Sequence, residues 1–286
     1  MHKKTLKLWM GIGTFALLGA GANAAELHGA KLHGHDQQAP VAVQVAQAAH
    51  QHAAGGEGGE GGEGGEEGHE QDIFTDYPAG EALVGRLLML KGHLTVGQEL
   101  YQARRLDDAA PHYLHPTEEI YALVKDELKK QKLPQFESDL KALAGLVKQK
   151  KPAAEVFAKQ DAVLAKVNKA IAAADKKTPS FAMSVAPGVL SQAAEEYKEA
   201  FVEDKLANAV EYQDARGFVT ATRGYVSAHS KELSAKDKDA FGKLTTNLDD
   251  IAKAFPTAVP PQQVTMDAGA VRALVSKVEL LKGSFK

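Results

Sequence analysis

Four consecutive Gly-Gly-Glu triplets run from Gly55 to Glu66, and a stretch of that composition cannot bury enough apolar surface to fold. Any globular structure in this 286-residue chain therefore lies beyond them. The flanking sequence extends the same character from Ala25 to Asp72, where nine acidic residues face a single lysine, Lys31. That arm carries a net charge of −8, whereas the residues from Ile73 onward carry +2. Neither value supplies the strongly basic face that nucleic-acid binding needs. The chain has no cysteine, which excludes disulfide frameworks, thiolate metal sites and cysteine nucleophiles.

The first 24 residues read as a cleavable export signal. Lys3, Lys4 and Lys7 precede an apolar run from Met10 to Ala22, and Ala22-Asn23-Ala24 supplies a small-x-small cleavage site. The apolar run is too short to span a bilayer. These features predict a periplasmic protein, cleaved after Ala24, with no transmembrane segment in the mature chain. Residues 25–72 are then expected to be a disordered tail.

Six of the eleven histidines fall in that tail, and His33/His35 and His50/His52 form two His-x-His pairs. Such spacing lets two imidazoles meet one ion in a flexible loop, and neighbouring carboxylates add oxygen ligands. Metal capture by the tail and a merely solvating linker both remain open at this level. Only three methionines lie beyond Ala24, which disfavours a thioether Cu(I) carrier.

Beyond Tyr77-Pro78 the periodicity becomes helical. Leu83, Leu87, Leu90, Leu94 and Tyr101 fall on one stripe of a helix predicted over 80–104. A second helix is expected to end before Leu133-Pro134, with further helices over 135–150 and 152–175, the last opened by Pro152. The segment Thr178 to Pro187 reads as a break, followed by helices near 188–203, 206–229, 235–254 and 267–282. Short connections between helices make antiparallel neighbours. The expected fold is all-α: two antiparallel four-helix bundles, 73–178 and 179–286. An offset of 100 residues aligns Gln98–Ala109 with Lys198–Ala209, which points to an internal duplication.

The candidate chemistry clusters on the first hairpin. His93 lies on the first helix, and His112, His115, Glu118 and Glu119 lie in the string PHYLHPTEEIY of the second. On an unbroken helix His112, His115 and Glu119 share one narrow face, and Glu118 makes a His-x-x-Glu pair with His115. Two antiparallel helices bring such nitrogen and oxygen donors together, which is how bundles hold metals. At the 100-residue offset His93, His112, His115 and Glu119 become Ala193, Tyr212, Ala215 and Val219, so the scaffold has no need of them for packing. A second reading makes them helix-entry residues beside Pro111 and Pro116. The second half has its own polar string, Glu195, Glu196, Glu199, Glu211, Tyr212, Asp214 and Arg216, which fits either a hard-cation site or an exposed acidic face. His229 stands by itself near a helix end. No phosphate loop, dinucleotide fingerprint, nucleophile elbow or zincin helix occurs.

A His-x-x-Glu motif on a bundle helix, within a secreted chain of duplicated helical bundles, resembles the imelysin-like periplasmic proteins associated with iron uptake. That family's motif is Gly-x-His-x-x-Glu; here His115 and Glu118 match, and Tyr113 stands in place of the glycine. The resemblance implies binding of a metal ion or metal chelate near His115 and Glu118, without peptidase activity. The sequence therefore predicts a non-enzymatic scavenger or carrier for a divalent transition metal such as iron, zinc or copper. A membrane transporter or receptor is the expected partner. The alternative is a helical adaptor that docks a periplasmic or membrane partner without metal.

Overall fold

The structure, a computed structural model, describes residues 72–286. The signal segment and the arm with His33, His35, His50 and His52 lie outside the described residues. Helix α1 (Ala79–Gln102) leads by a tight turn into α2 (Leu106–His115), which passes through a π-turn (Pro116–Ile120) into α3 (Tyr121–Lys130). Then come α4 (Glu137–Lys148), α5 (Ala153–Ala174) and α6 (Pro179–Ala200). A short antiparallel hairpin, β1 (Phe201–Val202) and β2 (Lys205–Leu206), precedes α7 (Ala209–Ala228). Helices α8 (Ser230–Lys236), α9 (Lys238–Ala252) and α10 (Ala268–Leu280) complete the chain, with a closing 3₁₀ turn at Leu281–Phe285.

The helical class stands, and three local features differ from the sequence reading. The segment Thr178 to Pro187 begins a helix instead of breaking one. Thr178 Oγ1 accepts the Phe181 N–H at 3.2 Å, and Pro179 occupies the first turn, where its missing N–H costs nothing. Pro187 sits inside α6 at a penalty of about 3 kcal/mol. Burial of Phe181, Met183 and Val185, at roughly 1.5–3 kcal/mol for each large side chain, outweighs it. The second difference lies at 201–206, where helix was expected to resume directly. Glu203 and Asp204 both have positive φ, 49° and 62°, the backbone of a two-residue hairpin turn. Third, His229 is fully buried and paired. Its Nε2 lies 2.9 Å from Asp175 Oδ2, and its Nδ1 donates to the Tyr225 carbonyl at 2.9 Å.

Two rings of four helices organise the packing. In one, α1, α2, α4 and α5 contact in sequence around a core; in the other, α6, α7, α9 and α10 do the same. The rings share a seam in which α1 lies against α7 and α6, and one apolar cluster runs through both. Phe74 pins the entrance. It is fully buried over Gly188 of α6, where an added Cβ would stand 2.8 Å from its ring, and over Gly85 of α1. Asp72 holds the same corner, accepting the Phe74 N–H at 3.1 Å and pairing with Arg86. Among the described residues no helix is long and apolar enough to cross a membrane.

Candidate metal centre

The seam between the rings is also where the histidines meet. Helices α1 and α7 cross at Gly92 and Gly217 with their backbones in contact. A Cβ on Gly92 would lie 2.7 Å from the Gly217 carbonyl carbon. Only glycine permits so close an approach, and it sets the next residue of α1, His93, directly on α7. On the other side of α1, Tyr113 of α2 packs over Gly97, where an added Cβ would be 2.8 Å from the ring. That contact draws α2 inward and presents His112 and His115.

The π-turn has a direct cause. Pro116 has no N–H to continue the α ladder, so the chain widens for one turn and the Tyr121 N–H closes a bond to the Pro116 carbonyl five residues back. His115 thus ends α2, and Glu119 rides on the widened turn beside it.

The side chains converge on one carboxylate that comes from the other ring. Asp214 of α7 lies with Oδ1 2.6 Å from His93 Nδ1 and 2.7 Å from His112 Nδ1. Its Oδ2 is 3.4 Å from His115 Nδ1. The His112 contact is a hydrogen bond; the His93 contact, though short, is off the axis of the ring N–H. His112 Nε2 faces Gln213 Oε1 at 2.8 Å, and His115 Nε2 stands 4.0 Å from Glu119 Oε1. Phe218 packs edge-on to the His93 ring with centroids 5.0 Å apart.

Two overlapping donor groups result, each with its ligand atoms within 4.8 Å of one another. One is His93, His112 and Asp214, all buried; the other is His93, His115 and Glu119, the last two half-buried. His93 belongs to both. Of the residues singled out in the sequence, His93, His112, His115 and Glu119 come together. Glu118 does not: it is exposed on the far side of the π-turn. Asp214, read as part of a second-half acidic string, is the residue whose place the sequence reading missed. Its signal was present, because Glu211, Asp214, Phe218 and Tyr225 fall at helical spacing and all are buried. A carboxylate on an apolar stripe needs a partner. The rest of that string joins neither donor group. Glu211 accepts from Asn208, Glu196 from Gln192, and Arg216 pairs with Glu99 of α1.

The cluster sorts its charges. Burial by itself would raise the Asp214 carboxyl, but the imidazoles of His93 and His112 and the hydrogen bonds from His112 and His115 hold it well below the usual range. Burial pulls His93 down, against the opposing pull of Asp214, and its histidine neighbours act in the same direction as burial. Burial also acts to lower His115, yet the hydrogen bond and charge of Asp214, with Glu119 and Glu211, outweigh it and push His115 up to about 9. At neutral pH the raised pKa keeps His115 protonated, whereas the lowered one leaves His93 neutral.

Imidazole and carboxylate donors without sulfur suit iron, zinc and other borderline cations. Residues 172–282 match the sequence model of the iron permease-associated four-helix bundle domain. That span covers the ring of α6, α7, α9 and α10 and includes Asp214, whereas the three histidines lie upstream of it. The match associates the chain with iron uptake. No curated protein and no solved structure matches the chain.

Proposed function

We propose that this chain is a periplasmic iron-binding carrier that serves a membrane permease, holding a ferrous ion between His93, His115 and Glu119. The observation that carries the reading is the pair of donor groups sharing His93 at the seam between the two rings. Two imidazoles and one carboxylate, with further positions left open, form the donor set typical of non-haem Fe(II). His115 and Glu119 are half-buried, so cargo can enter and leave from their side. The export features of residues 1–24 and the iron permease-associated match support the compartment and the partner. The likeness to imelysin-like proteins at His115 points to the same process. The His-rich arm would add further imidazole and carboxylate donors on the same chain. The role proposed is that of a carrier.

The test is an anaerobic Fe(II) titration of the full chain with the six arm histidines replaced by alanine. One tight equivalent is expected, and it should disappear in the His93→Ala/His115→Ala variant. Binding that survives this double substitution would overturn the assignment.

A further inference from the structure

From the geometry around Asp214 we infer that this carboxylate, supplied by the iron permease-associated half, is a positioning residue that orients the histidines of the other half and does not itself bind the ion. The inference rests on the metal-binding reading above.

Distances separate the two donor groups. An ion bound at about 2.0–2.2 Å keeps neighbouring ligand atoms roughly 2.9 Å apart or more. Asp214 Oδ1 is closer than that to both His93 Nδ1 and His112 Nδ1, at 2.6 and 2.7 Å. Both are shorter than two ligands of one ion allow, and the His112 contact is a hydrogen bond. The other group is open, with 4.0 Å between His115 Nε2 and Glu119 Oε1.

Orientation gives the same answer. Asp214 faces the Nδ1 atoms of His93, His112 and His115 together. A carboxylate at Nδ1 keeps the proton there and leaves the Nε2 lone pair for a ligand, the arrangement that metal-binding histidines commonly use. For His93 and His115, Nε2 is then the nitrogen that would face the ion. For His112, Nε2 is already engaged by Gln213 Oε1 at 2.8 Å, so His112 serves as a strut between Asp214 and Gln213.

The division of labour follows the seam. The ring of α1, α2, α4 and α5 supplies the donors, and α7 of the other ring supplies the group that aims them. Ion affinity therefore depends on how the two rings are joined.

Co(II) absorption spectra of the full chain with its arm histidines replaced by alanine test this. The parent should bind one equivalent with a visible d–d spectrum. Asp214→Asn should keep that spectrum and bind about 10- to 100-fold more weakly. His112→Ala should also keep the spectrum, whereas Glu119→Gln should change or abolish it. An altered spectrum in Asp214→Asn would make Asp214 a ligand, and an unchanged affinity would remove its role; either overturns the inference while leaving the metal site standing. Absence of a Co(II) equivalent in the parent would overturn the metal reading itself. Should Asp214→Asn not fold, Asp214→Glu, which keeps the charge one methylene further out, carries the same comparison.

Discussion

His115 sets the pH response of the site. Its proton is held by Asp214, Glu119 and Glu211 up to about pH 9, so an ion bound as proposed must expel it below that pH. Apparent affinity should fall close to tenfold for each pH unit between 9 and 7, with one proton released per ion bound at pH 7. Titrations at pH 7, 8 and 9 measure the slope, and a flat profile would place the ion away from His115. Folding has the opposite sign. A group with a raised folded pKa stabilises the protein fully below its unfolded value, about 6.5, and that contribution is lost as pH rises through about 9. In the metal-free protein, His115→Asn should therefore destabilise at pH 6 and have little effect at pH 10, as read by urea denaturation.

At the scale of the helix, the crossing of α1 and α7 is the element on which the site depends. Alanine has the higher helix propensity, by about 1 kcal/mol, so Gly→Ala in a helix stabilises where there is space. Gly242 on α9 has that space, with nothing within 4 Å of an added Cβ. Gly217 has none, because its Cβ would meet the Gly92 backbone. Gly242→Ala should gain about 0.5–1 kcal/mol. Gly217→Ala should lose about 1–3 kcal/mol from overpacking and weaken ion binding as α7 moves off His93. Denaturation curves of the two variants, with Co(II) titration of each, compare them directly; equal gains would show that the crossing tolerates separation.

Across the whole molecule, the matched segment and the donor residues do not coincide. A fragment covering 172–286 retains Asp214 but lacks His93, His112 and His115, and it uncovers the face of α7 that α1 covers. Phe218 and Val219, now buried, belong to α7. The fragment should bind no Co(II) equivalent and should bind an apolar fluorescent dye that the full chain excludes. A fragment that binds the ion tightly would move the site into the second ring.

The helical class, the positions of most helices and the shared face of His112, His115 and Glu119 were legible in the sequence, because apolar spacing and i,i+3/i,i+4 geometry are local. Proline was misread where its meaning depends on surroundings. Pro187 sits inside a helix because the core compensates for it, and Pro116 widens one turn of a helix that local spacing reads as unbroken. The exposure of Glu118, which no i,i+3 count foresees, follows from that widened turn. Asp214 lies about a hundred residues from the histidines it faces. Its place beside them became visible only when two glycines let α1 and α7 touch, since a contact across the seam depends on how the helices pack and no local spacing encodes it.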